Sequence, residues 1–169
     1  KEKVLGIFEE ICIYHNPKDI VSGDFYWVFE KENKKYLAVV DCTGHGVPGA
    51  FMTIIGINIL NQIMEKGAVT QPHEIIQALN TRLRKVLHSG GQSKDGMDIG
   101  LMCIENNELQ FAGTHISCYI AAKEEVKELK GQRGFIGHSD TLELETQTAT
   151  INKNDMVYLF TDGFPDQKG

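Results

Sequence analysis

Two apolar runs in this chain of 169 residues end in the same way. Leu37-Ala38-Val39-Val40-Asp41-Cys42-Thr43-Gly44 and Met156-Val157-Tyr158-Leu159-Phe160-Thr161-Asp162-Gly163 both reach an aspartate and then a glycine. Acids at the ends of central strands, with a loop after them, are well placed for a shared site. Asp24 joins them by symmetry. It opens one strand-like run, Asp41 closes the next, and the midpoint of the two falls between Glu32 and Asn33, where a turn is predicted. A hairpin in that register sets the two carboxylates opposite each other, with Cβ atoms roughly 4.5–5.5 Å apart. Like charges that close call for a shared proton or a cation. Oxygen ligands of this kind suit hard divalent ions such as Mg2+ or Mn2+. The plainer alternative is that each aspartate caps a turn, as aspartate often does. For all three together, a common site is the better account.

Gly44-His45-Gly46 follows Asp41 and leads into a helix. A glycine-rich loop at a helix start can turn backbone N–H groups towards an anion such as phosphate. It matches neither nucleotide-binding glycine pattern. His45 could act as an acid, a ligand or a structural donor. Asp95-Gly96 reads as a turn and Asp98 as a surface strand residue. No Ser/His/Asp arrangement or nucleophile elbow is visible. Cys12, Cys42, Cys103 and Cys118 each lie in or beside an apolar strand-like run, without metal-type spacing, and read as free buried thiols of a reducing compartment.

These candidates need a scaffold. Strands are predicted over residues 7–15, 23–31 and 36–40, the last two forming a hairpin. Two helices follow, at 48–66 and 71–88. Pro48 lies in the first turn of one, with Gly67 as its stop; Thr70 is the N-cap of the other, which Gly90 and Gly91 end. The first helix is apolar around most of its circumference, which predicts burial on more than one side, against the core or against another subunit. The second carries a stripe of Ile75, Ile76, Leu79, Leu83, Val86 and Leu87. Further strands are predicted at 97–105, 108–113, 117–122, 126–129, 142–149 and 156–160. Strands, a helix pair and a second set of strands make an α+β layout, and the lack of alternation disfavours a parallel nucleotide-binding sheet.

Composition agrees with a single globular domain: 41% of residues are hydrophobic and 24% charged. The formal net charge is −6, which argues against nucleic acid or an anionic membrane surface as a partner. Arg82, Arg84 and Lys85 form the densest basic cluster, and read as a solvated helix face. No leader or spanning helix is expected, since the longest apolar stretch, 49–60, is interrupted by Thr53 and Asn58. A cytoplasmic domain is the expectation.

Four segments together resemble the SpoIIE-like branch of the PPM (type 2C) serine/threonine protein phosphatases: Val21-Ser22-Gly23-Asp24-Phe25-Tyr26-Trp27; Val39-Val40-Asp41-Cys42-Thr43-Gly44-His45-Gly46-Val47-Pro48-Gly49-Ala50; Asp95-Gly96-Met97-Asp98; and Tyr158-Leu159-Phe160-Thr161-Asp162-Gly163. The resemblance covers nearly the whole chain. It implies a β-sandwich flanked by helices in α/β/β/α layers, and a site for two Mn2+ or Mg2+ ions. Asp41 would bridge the ions, with the Cys42 carbonyl as a backbone ligand and Asp24 and Asp162 as ligands of one ion. A water bridging both would attack the phosphorus of phosphoserine or phosphothreonine. Asp41 is thus the central catalytic residue, and Gly44, His45 and Gly46 match the family's loop. His45 is offset from the histidine of eukaryotic members. The family continues past its Thr-Asp-Gly element into a helix and a last strand with another metal-binding acid, whereas this sequence stops at Gly169. A C-terminally incomplete domain spanning 1–169, with weakened metal affinity and activity, is the expectation. The implied partner is a phosphorylated protein, such as an anti-sigma-factor antagonist. A homodimer through the helix pair, a non-enzymatic phosphoprotein-binding module, and a hydrolase of small phosphate esters are the other readings.

Overall fold

The computed structural model describes residues 6–8, 10–17, 19–87, 94–123 and 125–165. The first strands, β1 (Phe25–Lys31) and β2 (Lys34–Cys42), form the predicted hairpin. Its two-residue turn, Glu32-Asn33, has φ of 51° and 66°. Both residues are left-handed, as in the type I′ turn whose twist matches a hairpin.

Helix α1 spans Gly46–Lys66 and stops at Gly67, a left-handed cap whose N–H bonds to the Ile63 carbonyl. Helix α2 spans Pro72–Leu87. Its N-cap is Gln71 rather than Thr70: the Gln71 carbonyl accepts the Ile75 N–H, and Glu74 reaches back to the Gln71 N–H. The Thr70 carbonyl accepts the Tyr36 hydroxyl instead. The stop at Gly90-Gly91 lies outside the described residues.

The chain continues through β3 (Met97–Glu105), β4 (Glu108–Thr114), β5 (Cys118–Ala121), β6 (Val126–Leu129), β7 (Gln147–Thr150) and β8 (Met156–Leu159). All ladders are antiparallel. One sheet has the order β1-β2-β3-β4-β7, the other β6-β5-β8.

Alternation along the strands divides the core in two. Trp27, Ala38, Val40, Ile99 and Leu101 face α1 and α2, against Leu60, Ile63, Ile75, Leu79 and Leu83. Leu37, Met102, Leu109 and Phe111 face the second sheet, against Cys118, Ile120 and Leu129. The result is an α+β sandwich with the helix pair on the outer face of the larger sheet.

Further expectations are corrected. Residues 11–17 form no strand, and Cys12 is exposed rather than buried. Most of 142–149 is irregular, with β7 beginning only at Gln147. Its backbone donors bond to side chains instead of a ladder: Leu142 N–H to Gln77 Oε1, and Glu145 N–H to Gln132 Oε1. Finally, α1 is buried along one face only, with Phe51 60% and Ile54 56% exposed. By length and composition α1 could cross a membrane, at a hydropathy of 1.4, contrary to the sequence expectation. Its Leu60, Ile63 and Met64 are packed on the sheet as in a core helix.

Candidate metal centre

The β1–β2 register pairs Phe25 with Val40. One step further sets Asp24 opposite Asp41, as the hairpin symmetry predicts. On the other side of β2, Asp41 pairs with Asp98 of β3. One step beyond the β3–β4 pair of Ile99 and Thr114 sets Asp98 opposite His115, whose Nδ1–H donates to Asp98 Oδ1 at 2.9 Å. Paired residues share a face. Asp41 has the parity of Leu37, and Asp98 that of Met102, so this polar row lies on the side of the larger sheet that faces the smaller one. It occupies the end of the sandwich, where apolar packing between the sheets gives out.

The second sheet contributes the next acid. After Leu159, the chain carries Thr161 and Asp162 to the same end. Thr161 Oγ1 donates to Asp24 Oδ2 at 3.0 Å, and Asp162 lies within hydrogen-bonding reach of Asp41. Burial pushes the Asp41 carboxyl up to about 7, and the adjacent charges of Asp24 and then Asp162 push in the same direction. The three carboxylates brought together by the fold are those singled out by the sequence.

The backbone around them is closely packed. Ser22 Oγ accepts the Asp24 N–H at 2.9 Å, and Thr53 Oγ1 donates to the Ser22 and Gly23 carbonyls. The Thr43 N–H bonds to the Gly96 carbonyl. Alternation along the ladder then turns Cys42 towards β1, where pairing has not begun. A Cβ on Gly23 would lie 3.1 Å from the Cys42 carbonyl oxygen and 2.8 Å from that of Gly44. The Cys42 carbonyl thus lies beside the Gly23-Asp24 peptide, while its thiol faces the core and is pushed up to about 12 by burial.

Gly44 and Gly46 take φ of 84° and 64°, which favour glycine. His45 is the residue before α1 and makes no side-chain cap bond. Its side chain is 86% exposed, with Nδ1 3.3 Å from Asp19 Oδ2. Asp95 is exposed, 3.5 Å from Thr43 Oγ1. Asp98, expected as a surface strand residue, is half-buried within the row. Its register with Asp41 spans two helices in sequence, so no local pattern announces it. His115 carries no sequence signal of its own.

An all-oxygen donor set fits a hard divalent cation. Burial first, and then the charges of Asp24 and Asp162, push Asp41 upward, and a cation beside it would offset both. Among the described residues, however, no group of three or more His, Cys, Asp or Glu side chains closes on one point as a ligand set. The acids are gathered rather than arranged as a finished shell.

A profile of the Stage II sporulation protein E (SpoIIE) family matches residues 31–169. The chain belongs to the SpoIIE family. A comparison with curated proteins returns no match. Among solved structures, the SiaA-PP2C domain of Pseudomonas aeruginosa superposes with a TM-score of 0.81 at 37% identity, over 90% of this chain and 61% of that one. The PP2C phosphatase domain of SpoIIE from Bacillus subtilis, solved with a fragment of its regulatory domain, gives a TM-score of 0.67 at 22% identity, over 86% and 42%. RsbX in complex with magnesium gives 0.67 at 17% identity, over 86% and 69%. This SpoIIE-family chain therefore has a PP2C-type fold and spans less than two thirds of the SiaA-PP2C chain.

Proposed function

We propose that this SpoIIE-family chain is a phosphoprotein phosphatase of bacterial signalling that hydrolyses phosphoserine or phosphothreonine with Mn2+ or Mg2+ as cofactor. The observation that carries the reading is the meeting of Asp24, Asp41 and Asp162, from two sheets, around a central carboxyl that burial and like charge hold protonated up to about pH 7.

Asp24, Asp41, Asp162 and the Cys42 carbonyl would hold the ions. Such ions supply positive charge to the phosphoryl oxygens and lower the pKa of water. The protein's own groups orient the site. Ser22 and Thr161 fix Asp24 from two sides. The 44–46 loop brings the start of α1 close to the acids, where backbone N–H groups favour an anion. Magnesium in RsbX supports the choice of ion class. SpoIIE of Bacillus subtilis is a cell fate determinant, which supports the signalling context. A cytoplasmic location and an anti-sigma-factor antagonist as substrate belong to the same proposal. So does a homodimer through the helix pair, with Phe51 and Ile54 of α1 exposed.

The decisive experiment is p-nitrophenyl phosphate hydrolysis with Mn2+ titrated, beside Asp41→Asn. Metal-dependent turnover that the variant loses supports the reading. Absence of turnover at every metal concentration in folded protein favours the second reading, a phosphatase-fold module that binds a phosphoprotein without cleaving it.

A further inference from the structure

We infer that His115, oriented by Asp98, donates the proton taken up by the departing serine or threonine oxygen when the phosphate ester is cleaved; the inference rests on the phosphatase reading above. Asp24 just before β1, the pair Asp41 and Asp98 across β2 and β3, and His115 just after β4 follow one another at one end of the sheet. Two inter-strand steps separate Asp41 from His115, about 10 Å between Cα atoms. On this reading, the leaving oxygen of a phosphoseryl group held at the acids falls within that span.

The ring is oriented for the task. Its Nδ1–H is committed to Asp98 Oδ1 at 2.9 Å, while Nε2 has no hydrogen bond among the described residues. The His115 side chain is 55% exposed and that of Asp98 24%. A half-buried carboxylate thus anchors a ring that remains open to an incoming ester. His115 has a φ of 55°, and its N–H bonds to the Gln132 carbonyl. A left-handed histidine at the end of β4 is tolerated sterically but not preferred over glycine or asparagine. The charged group against the ring is Asp98; Asp41 is next along the row, and Asp162 approaches Asp41 from the second sheet. Of the other histidines near the acids, His45 is paired with Asp19, and His15 lines a cavity with Ser22 and Asp24 on the β1 side of the row, away from His115.

In the step, the bond between phosphorus and the seryl oxygen breaks and the oxygen keeps the electron pair. The charged ring passes its Nε2 proton to that oxygen, and a neutral alcohol leaves. Water forms the new bond to phosphorus and releases one proton to solvent, from which the imidazole is recharged. The sum is one ester and one water converted to one alcohol and one phosphate.

An alkyl leaving group needs this proton, whereas p-nitrophenolate departs readily without it. The test compares His115→Asn, which tolerates the left-handed backbone, and Asp98→Asn with the unaltered full-length protein. Each is assayed with Mn2+ on a phosphoserine peptide and on p-nitrophenyl phosphate, and melts verify folding. Proton donation predicts a loss of kcat of about 100-fold on the peptide for His115→Asn. The loss on the aryl ester should be about tenfold or less, and the high-pH fall of kcat on the peptide should disappear. Asp98→Asn should show the same substrate bias with a smaller loss. Equal losses on both substrates, or no loss, overturn the inference while leaving the phosphatase reading intact. If the unaltered protein hydrolyses neither substrate, the phosphatase reading falls and takes the inference with it.

Discussion

Asp98 stands directly opposite Asp41 across the β2–β3 ladder. Asp24 flanks Asp41 on the other side in the same register, so the central acid of the row has a carboxylate neighbour on each adjoining strand. Burial, and then the charges of Asp24 and Asp162, disfavour the ionised form of Asp41, so removing its charge should stabilise the metal-free protein.

For Asp41 the direction with pH is clear. Its folded value of about 7 lies above the ordinary carboxylate value of 3.8. The metal-free fold binds the proton more tightly than the unfolded chain does. The stabilisation is complete below about pH 4 and is lost as pH rises through about 7. Asp41→Asn should raise the metal-free stability at about pH 8 by on the order of 1–2 kcal/mol after solvent screening. Mn2+ should raise the melting temperature of the unaltered protein more at about pH 8 than at about pH 5.5, and leave the variant unmoved. Thermal melts at both pH values decide this; a metal response that is independent of pH would count against it.

Gly49→Ala places a Cβ 2.6 Å from the Gly44 carbonyl oxygen and 3.0 Å from Gly23 Cα. The neighbours are backbone and have nowhere to go. The expected loss is about 1–3 kcal/mol, from overpacking. Because the displaced loop borders Asp24, the Mn2+ response should also weaken. Urea unfolding with and without the ion checks both. A variant as stable and as responsive as the parent would show that the loop has slack.

Asn80 is fully buried on α2. Its Oδ1 accepts the Gly137 N–H at 2.9 Å, and its Nδ2 donates to the Ser139 carbonyl at 2.9 Å. Asn80→Ala removes both bonds and should cost about 2–3 kcal/mol. Urea midpoints measure it, and a change below about 1 kcal/mol would mean that water takes over the amide's role.

The β1–β2 turn offers a stabilising change. Glu32 and Asn33 hold positive φ values that Asn-Gly adopts at less cost. The double substitution Glu32→Asn, Asn33→Gly should stabilise by about 0.5–1 kcal/mol. An unchanged melting temperature would speak against the turn geometry.

The hairpin is legible in the sequence because its information is local: a polar two-residue turn at the midpoint sets the register, and the register sets Asp24 against Asp41. Asp162 is legible because its segment repeats the sequence pattern of β2, an apolar run that reaches an aspartate and then a glycine, although β8 itself stops at Leu159. Asp98 and His115 are hidden because β2 and β3 are joined through two helices, so their alignment is settled by packing. The run at 7–15 has strand-like residues, but its described part pairs with nothing, and composition cannot supply a neighbour. The apolar ring around α1 is a true feature of its composition and a misleading guide to its burial. One side of that helix meets the sheet, and Phe51 and Ile54 remain exposed.

The acids reach the site from opposite halves of the sandwich: Asp24 and Asp41 belong to the larger sheet, while Asp162 follows the last strand of the smaller one. A cation shared among them would act as a rivet through the seam. Pulling the sheets apart would then first require releasing the ion, so metal occupancy should govern how long the fold resists proteases and mechanical load as well as how fast it turns over substrate.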